Sequence, residues 1–251
     1  MPPDLLDPVR PAPWAGVLVP PANPSVEPEL QRLLSPAMTL YAARFPVMPG
    51  TTLEERNRRY LDQYRSAVTA FGDLGLAAMV IGLTGPSYRL MTTGDVALTH
   101  ELTAIAGGTP VTTASRAIAE ALAALGARRL CLFSPYPDWL TDEAVAYWRD
   151  AGHEVVQVVK VSETFRAYQL TNDEVAAALT RVDHERVDAT VMSGTGMLTL
   201  PAIVAMWGTG SKPILSSNLC CAWWLLRTAS QRARSPWFER ASPELAANLR
   251  G

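Results

Sequence analysis

The chain has 251 residues, 48% hydrophobic and 18% charged, with a formal net charge of −2. That length suffices for one large domain or two lobes of roughly 110 to 130 residues. The absence of any basic run or basic–aromatic interleaving argues against nucleic acid as a partner, and no apolar stretch approaches the roughly 18 residues that span a bilayer. Three cysteines, two of them adjacent, make no disulfide framework, so a reducing cytoplasm is the expected compartment. The first 14 residues are Pro-rich and carry acidic residues, without the basic-then-apolar layout of a signal peptide, and read as a flexible arm.

Strand and helix signals then alternate. Residues 16–20 (GVLVP) read as a buried strand, followed by Pro/Asn turn chemistry and a helix from near Glu27. Residues 40–47 give a second strand, 52–72 a polar-faced helix ending at Gly72, and 77–83 a third strand. A helix over 95–106 stops at Gly107-Gly108, as helix C-termini do. TPVTT is a short strand, 115–125 a helix closed by Gly126, and LCLFS a strand. A helix at 139–151, the strand EVVQVVK and a helix at 172–183 follow, and the last 20 or so residues read as one peripheral helix.

Apolar strands interleaved with helices of this length predict an α/β fold with mostly parallel sheets covered on both faces. One cassette is written twice. LAAMVIGLTGPSY ends at Thr84-Gly85-Pro86-Ser87 and is followed by a helix, the strand TPVTT and a Ser-led helix. RVDATVMSGTGMLTL ends at Ser193-Gly194-Thr195-Gly196 and is followed by a helix to Trp207, KPILSS and a helix from Asn218. The repeat predicts two pseudo-symmetric lobes, each a mostly parallel four-stranded sheet flanked by helices, with the active site in the cleft between them. The expected boundaries are 15–113 plus 213–251 for the first lobe and 114–212 for the second.

In parallel α/β sheets ligands bind beyond the carboxyl ends of strands, where helix N-termini leave N–H groups free and favour an anion. Three such ends stand out: the loop Pro20-Pro21-Ala22-Asn23-Pro24-Ser25 and the two cassette loops. Their amides, helped by Asn23, Thr84, Ser193 and Thr195, suit a small carboxylate or dicarboxylate. The competing reading is that these are turn residues selected for backbone conformation. Gly194-Thr195-Gly196 lacks the third glycine of a dinucleotide fingerprint, and no P-loop is present, so no cofactor is expected. His100, His153 and His184 are scattered without metal-ligand spacing, so no metal is expected either. Cys131 reads as a core residue of its strand; Cys220 and Cys221 open a helix, where a thiol pKa can fall, but packing is the simpler role. Tyr136, in SPYPDW just after a strand, is the best-placed phenol to donate a hydrogen bond or a proton.

These segments together resemble the maleate isomerase and arylmalonate decarboxylase branch of the Asp/Glu racemase superfamily, from about residue 15 to 230. VLVPPANPSVEPEL is similar to that branch's opening strand and carboxylate-binding Asn loop, pointing to Asn23. GLTGPSY resembles its first active-site loop, LFSPYPDWLTDEAVAYW its active-site Tyr segment, and SGTGMLTLPAI with PILSSNLCCAWWLLR its second loop and final helix. The resemblance implies a cofactor-free enzyme with substrate held between two lobes and one or two catalytic cysteines. On that alignment Leu83 and Gly194 fall at the two cysteine positions, so neither thiol is present.

What remains is an anion cradle. The expected substrate-binding residues are Asn23, Thr84, Gly85, Ser87, Gly194 and Gly196, and the expected proton donors Tyr136, Ser193 and Thr195. The leading expectation is a cofactor-independent decarboxylase, lyase or isomerase acting on a small carboxylate or dicarboxylate, with no nucleic-acid or membrane partner and with a homo-oligomer left open. Two alternatives stand beside it: a cis–trans isomerase or racemase with its thiol relocated to Cys220 or Cys221, and a non-catalytic carboxylate-binding homologue.

Overall fold

The computed structural model describes residues 12–230 and 235–249. Two runs of the same element order follow one another. The first is β1 (Trp14–Val19), α1 (Val26–Leu34), β2 (Thr39–Arg44), α2 (Leu53–Ala67), β3 (Ala78–Ile81), α3 (Gly85–Ile105), β4 (Val111–Thr113) and α4 (Ala114–Leu125). The second is β5 (Arg129–Ser134), α5 (Asp138–Asp150), β6 (Glu154–Lys160), α6 (Asn172–Leu179), β7 (Ala189–Met192), α7 (Leu200–Met206), β8 (Ile214–Ser216) and α8 (Ser217–Thr228). Two short helices, α9 (Pro236–Ala241) and α10 (Pro243–Asn248), close the described chain.

Each run forms a four-stranded, all-parallel sheet, ordered β2-β1-β3-β4 and β6-β5-β7-β8. Every strand therefore ends on the same edge of its sheet, and each central pair, β1 with β3 and β5 with β7, delivers its following loop to that edge. The central strands are buried on both faces, which is why AMVI and ATVM read as continuous apolar runs rather than alternating ones. The edge strand β2, half open to solvent, mixes Thr, Tyr and Arg with Leu and Ala.

The sheets are joined through their last helices. α4 and α8, each leaving its sheet after a three-residue strand, pack on one another, and α8 also packs on α1. The result is one hydrophobic core running through both halves, from Val17 and Val80 in the first sheet to Leu132 and Val191 in the second, with Trp148 and Trp223 fully buried in it. A second, smaller core lies on the other face of the first sheet, around Tyr64, Ile81 and Leu102. No described helix is long and apolar enough to cross a membrane.

Some boundaries differ from the sequence reading. The return to the first lobe expected at residue 213 comes later, because Ile214–Ser216 completes the second sheet beside β7. The helix expected from residue 95 begins at Gly85, directly after the cassette loop, since Pro86 is well suited to a helix's first turn. It is broken at Met91, whose φ of 55° and ψ of 178° interrupt the helical path. The helix expected over 52–72 ends at Ala67 and passes into turns, and that over 172–183 ends at Leu179. Both start at a capping box, Thr52 with Glu55 and Thr171 with Glu174. The expected peripheral C-terminal helix is two short helices, each started by a proline, and it is not peripheral: Phe238 and Leu245 are fully buried. Residues 1–11 of the expected N-terminal arm lie outside the described residues.

Candidate active site

The loops leaving β1, β3, β5 and β7 meet above the carboxyl edges of the two sheets. Between them lies a cavity of about 160 Å³ lined by residues 20–23, 83–85 and 194–196, by Tyr136, by Val47, Met48 and the inner face of α2, and by Phe165, Ala167 and Tyr168.

Side-chain hydrogen bonds tie the loops together across the halves. The Asn23 carbonyl accepts from the backbone N–H of Ser25 (2.9 Å) and Val26 (3.2 Å), closing the turn that starts α1. Its amide donates to the Thr195 hydroxyl (3.1 Å), which in turn donates to the Gly82 carbonyl (2.8 Å). Ser25 Oγ donates to the Gly196 carbonyl (2.8 Å). At the opposite corner the Thr84 and Tyr136 hydroxyls lie 2.8 Å apart. Phe165 stacks on the Tyr136 ring at 6.0 Å between centroids. Burial pushes the Tyr136 phenol well above its ordinary pKa, so it holds its proton at neutral pH.

The backbone of the two cassette loops offers donors. Among the described residues, no hydrogen bond is made by the N–H groups of Thr84 and Gly85 or of Gly194, Thr195 and Gly196, although all five residues line the cavity. Thr84, at the start of α3, provides no side-chain cap. Gly194 has a φ of 86°, and a Cβ there would stand 3.0 Å from the Tyr136 hydroxyl. A Cβ on Gly196 would lie 2.3 Å from the Tyr168 ring. Both glycines thus let aromatic side chains close on the loop while its amides stay uncovered. Successive free N–H groups beside a left-handed residue form a concavity suited to an anion.

Two buried carboxylates lie beneath these loops, one for each, and the sequence reading missed both. Asp95, in α3, accepts from Ser87 (3.1 Å), Thr113 (3.0 Å) and, across the interface, Tyr147 of α5 (2.9 Å). Glu29, in α1, crosses in the other direction. It accepts from the N–H groups of Thr199 (2.5 Å) and Leu200 (2.8 Å) at the start of α7, from the Thr199 hydroxyl, and from Asn218 Nδ2 (2.8 Å). Burial raises the pKa of both, against hydrogen bonds that lower it. The Asn218 amide also donates to the Thr195 carbonyl (3.1 Å), linking Glu29 to the second cassette loop. A signal was available: Asp95 and Glu29 each share a helical stripe with buried apolar neighbours, Leu98 and Leu102 or Val26 and Leu33.

Of the residues singled out from sequence, Asn23, Leu83, Thr84, Gly85, Tyr136, Gly194, Thr195 and Gly196 all line the one cavity. Three expected roles need correction. Ser87 does not line it; its hydroxyl turns inward to supply a donor to buried Asp95. Ser193 is likewise fully buried, paired with the Tyr88 hydroxyl at 2.9 Å, and so is no proton donor to a ligand there. Thr195 faces the cavity, but its hydroxyl proton is engaged by the Gly82 carbonyl. Cys220 and Cys221 are buried in α8, away from the cavity, and burial pushes both thiols up, Cys221 to about 12. Cys131 lies in the core of β5, also with its thiol raised to about 12. None of the three histidines lines the cavity. The sequence reading also missed Arg56, Asn57 and Tyr60 on α2 and the aromatic segment Phe165–Tyr168, which supply the outer wall.

Comparison with known proteins agrees with this architecture. The family profile described as arylmalonate decarboxylase matches residues 15–240. A maleate isomerase from Geobacillus stearothermophilus is 24% identical over 238 residues, covering 88% of this chain and 93% of its own length. One from Nocardia farcinica is 26% identical over 226 residues, covering 85% and 88%. Among solved structures, the maleate isomerase Iso from Pseudomonas putida S16 superposes with a TM-score of 0.82 at 21% identity, covering 90% of this chain and 96% of that one. Unliganded arylmalonate decarboxylase superposes with a TM-score of 0.70 at 22% identity, covering 87% and 93%.

Proposed function

Because this chain belongs to the arylmalonate decarboxylase family, in the branch shared with the maleate isomerases, we propose that it is a cofactor-independent enzyme that loses carbon dioxide from a small malonate-type acid. The observation that carries this reading is the pairing, in one cavity, of five unengaged backbone N–H groups with a protonated phenol, and with no thiol, imidazole or carboxylate in the wall among the described residues. Addition of a thiolate to a double bond needs a nucleophile, and two-base racemisation needs two titrating groups. A decarboxylation needs less.

In such a reaction one carboxylate is seated on the loop amides of 84–85 and 194–196. The bond to the second carboxylate breaks with its electron pair left on the α-carbon and delocalised into the seated carboxylate as an enediolate. The N–H cradle stabilises that growing charge, an effect typically worth about 2.7–4 kcal/mol per well-placed donor. Tyr136 then protonates the carbon, with Thr84 holding the phenol in place, and is reprotonated from solvent. Leu83 and Gly194, where the family resemblance sets cysteines, bring no thiol to the wall and, at Gly194, leave it clear for the Tyr136 hydroxyl.

The test is turnover of a panel of substituted malonates, with maleate and hydroxy diacids alongside, in heavy water and followed by proton NMR. Expected is release of carbon dioxide from malonates with one deuterium delivered to the α-carbon. Tyr136→Phe should lower kcat/KM by roughly 10²- to 10³-fold while Tm changes little. Wild-type rates in Tyr136→Phe would remove the phenol from the mechanism. Binding without turnover or exchange across the panel would instead favour a carboxylate-binding protein.

A further inference from the structure

α2 has no counterpart in the cradle just described, yet it places two polar side chains in the same cavity. Asn57 is 3% exposed, and its amide nitrogen makes no hydrogen bond among the described residues. It lies against Gly85: a Cβ there would be 2.9 Å from Asn57 Nδ2. A buried amide left without a partner loses about 1–3 kcal/mol, so its retention at the wall of a cavity calls for a ligand atom. One residue earlier, Arg56 is the single charged side chain lining the cavity among the described residues. Among the described residues it forms no ion pair, and unlike the exposed, likewise unpaired Arg58 and Arg59 of the same helix it is partly buried against the cavity. Around it stand the phenols of Tyr60 and Tyr168 and the apolar side chains of Val47, Met48 and Leu53. The nearest acid in sequence, Glu55, is occupied by the Thr52 cap.

We infer that Arg56 and Asn57 form a second anion subsite and that the substrate carries, beyond the carboxyl group held by the loops, a further acidic group on its side arm. The inference rests on the reading above that the cassette loops seat the reacting carboxylate. It narrows the substrate class from malonates in general to those whose substituent ends in a carboxylate or a comparable anion. Asn57, beside Gly85, bridges the two subsites; Arg56, further along the wall, neutralises the distal charge.

The experiment compares two malonates of similar size, one with a carboxylate-ended alkyl arm and one with a neutral alkyl arm. It is done in the wild type, Arg56→Met, Arg56→Lys and Asn57→Ala, with Arg58→Met, an exposed neighbour on α2, as control. Binding of glutarate and of butyrate is measured in parallel by calorimetry, which needs no turnover. The wild type should prefer the acidic arm, and Arg56→Met should cut that preference by about 10- to 100-fold, mostly through KM. Arg56→Lys should restore part of it, Asn57→Ala should reduce it less, and Arg58→Met should leave it unchanged. Glutarate should bind the wild type more tightly than butyrate and lose that advantage in Arg56→Met. Equal use of both arms and equal binding of both acids by the wild type would overturn the subsite while leaving the decarboxylase reading intact. Selective, Arg56-dependent binding of glutarate without turnover of any malonate would overturn that reading and keep the subsite.

Discussion

The carboxylates beneath the two cassette loops both bond across the halves and are held by different chemistry. Asp95 accepts from three hydroxyls, of Ser87, Thr113 and Tyr147. Glu29 accepts from two backbone N–H groups, one hydroxyl and one amide that also supports Thr195. A hydroxyl can reverse, donating to a carboxylate or accepting from a neutral acid; a backbone N–H can only donate. The first half of the molecule is therefore tolerant of a change of charge under its loop, and the second half is committed to an acceptor. The cleft loops follow the same division. The first presents the Thr84 hydroxyl, while the second presents glycine amides and fixes them through Asn23, Asn218 and Glu29.

This contrast can be broken by substitution. Glu29→Gln should have the largest effect, a loss of about 2–4 kcal/mol in urea unfolding, because its new N–H₂ group faces the donating amide of Asn218. Asp95→Asn, whose hydroxyl partners can turn to accept, should cost within about 1.5 kcal/mol. Equal losses would abolish the distinction. Next comes Gly194→Ala, which places a side chain at a φ of 86° and 3.0 Å from the Tyr136 hydroxyl. It should lower stability by about 1–2 kcal/mol and reduce kcat/KM more than Gly85→Ala, where only the end of the Asn57 side chain must move.

The smallest effect is in pH dependence. Burial raises both carboxyl pKa values, so their contribution to stability is fully present below the ordinary carboxylate range, near pH 4, and is lost as pH rises through the raised values. Asp95→Asn should therefore flatten the fall of Tm between about pH 4 and pH 7. A steeper fall in the variant would show that the folded protein favours the Asp95 anion. Glu174 and Asp188, partly exposed and lowered to about 2 by backbone and arginine partners, act in the opposite direction as pH falls below 4 and are common to both proteins.

The division between halves also explains what could be read from the sequence. Two four-stranded parallel sheets followed from buried apolar runs such as AMVI and ATVM alternating with glycine-stopped helices, because that pattern is local. Glycine and threonine at strand ends marked the cradle for the same reason. Side-chain direction was not local. Ser87 and Ser193 looked like ligand hydroxyls, and each instead answers a buried group, Asp95 two turns along the same helix or Tyr88 of the other half. Arg56 and Asn57 lie on α2, outside the cassette loops' own motifs, within a run of charged residues that reads as a solvated face. The extra strand Ile214–Ser216 was assigned to the wrong half because three residues give too short a pattern to show which sheet edge they join.

The shared core between α4 and α8 has a consequence for how a ligand gets in and out. A hinge that parted the two halves would expose Ile118, Leu122, Trp223 and Leu226, at about 1.5–3 kcal/mol for each large apolar side chain brought into water. So wide an opening would be rare on the timescale of a turnover. The cavity wall also includes the short connecting segments Val47 with Met48 and Phe165 to Tyr168, and movement confined to them would leave the α4–α8 packing intact.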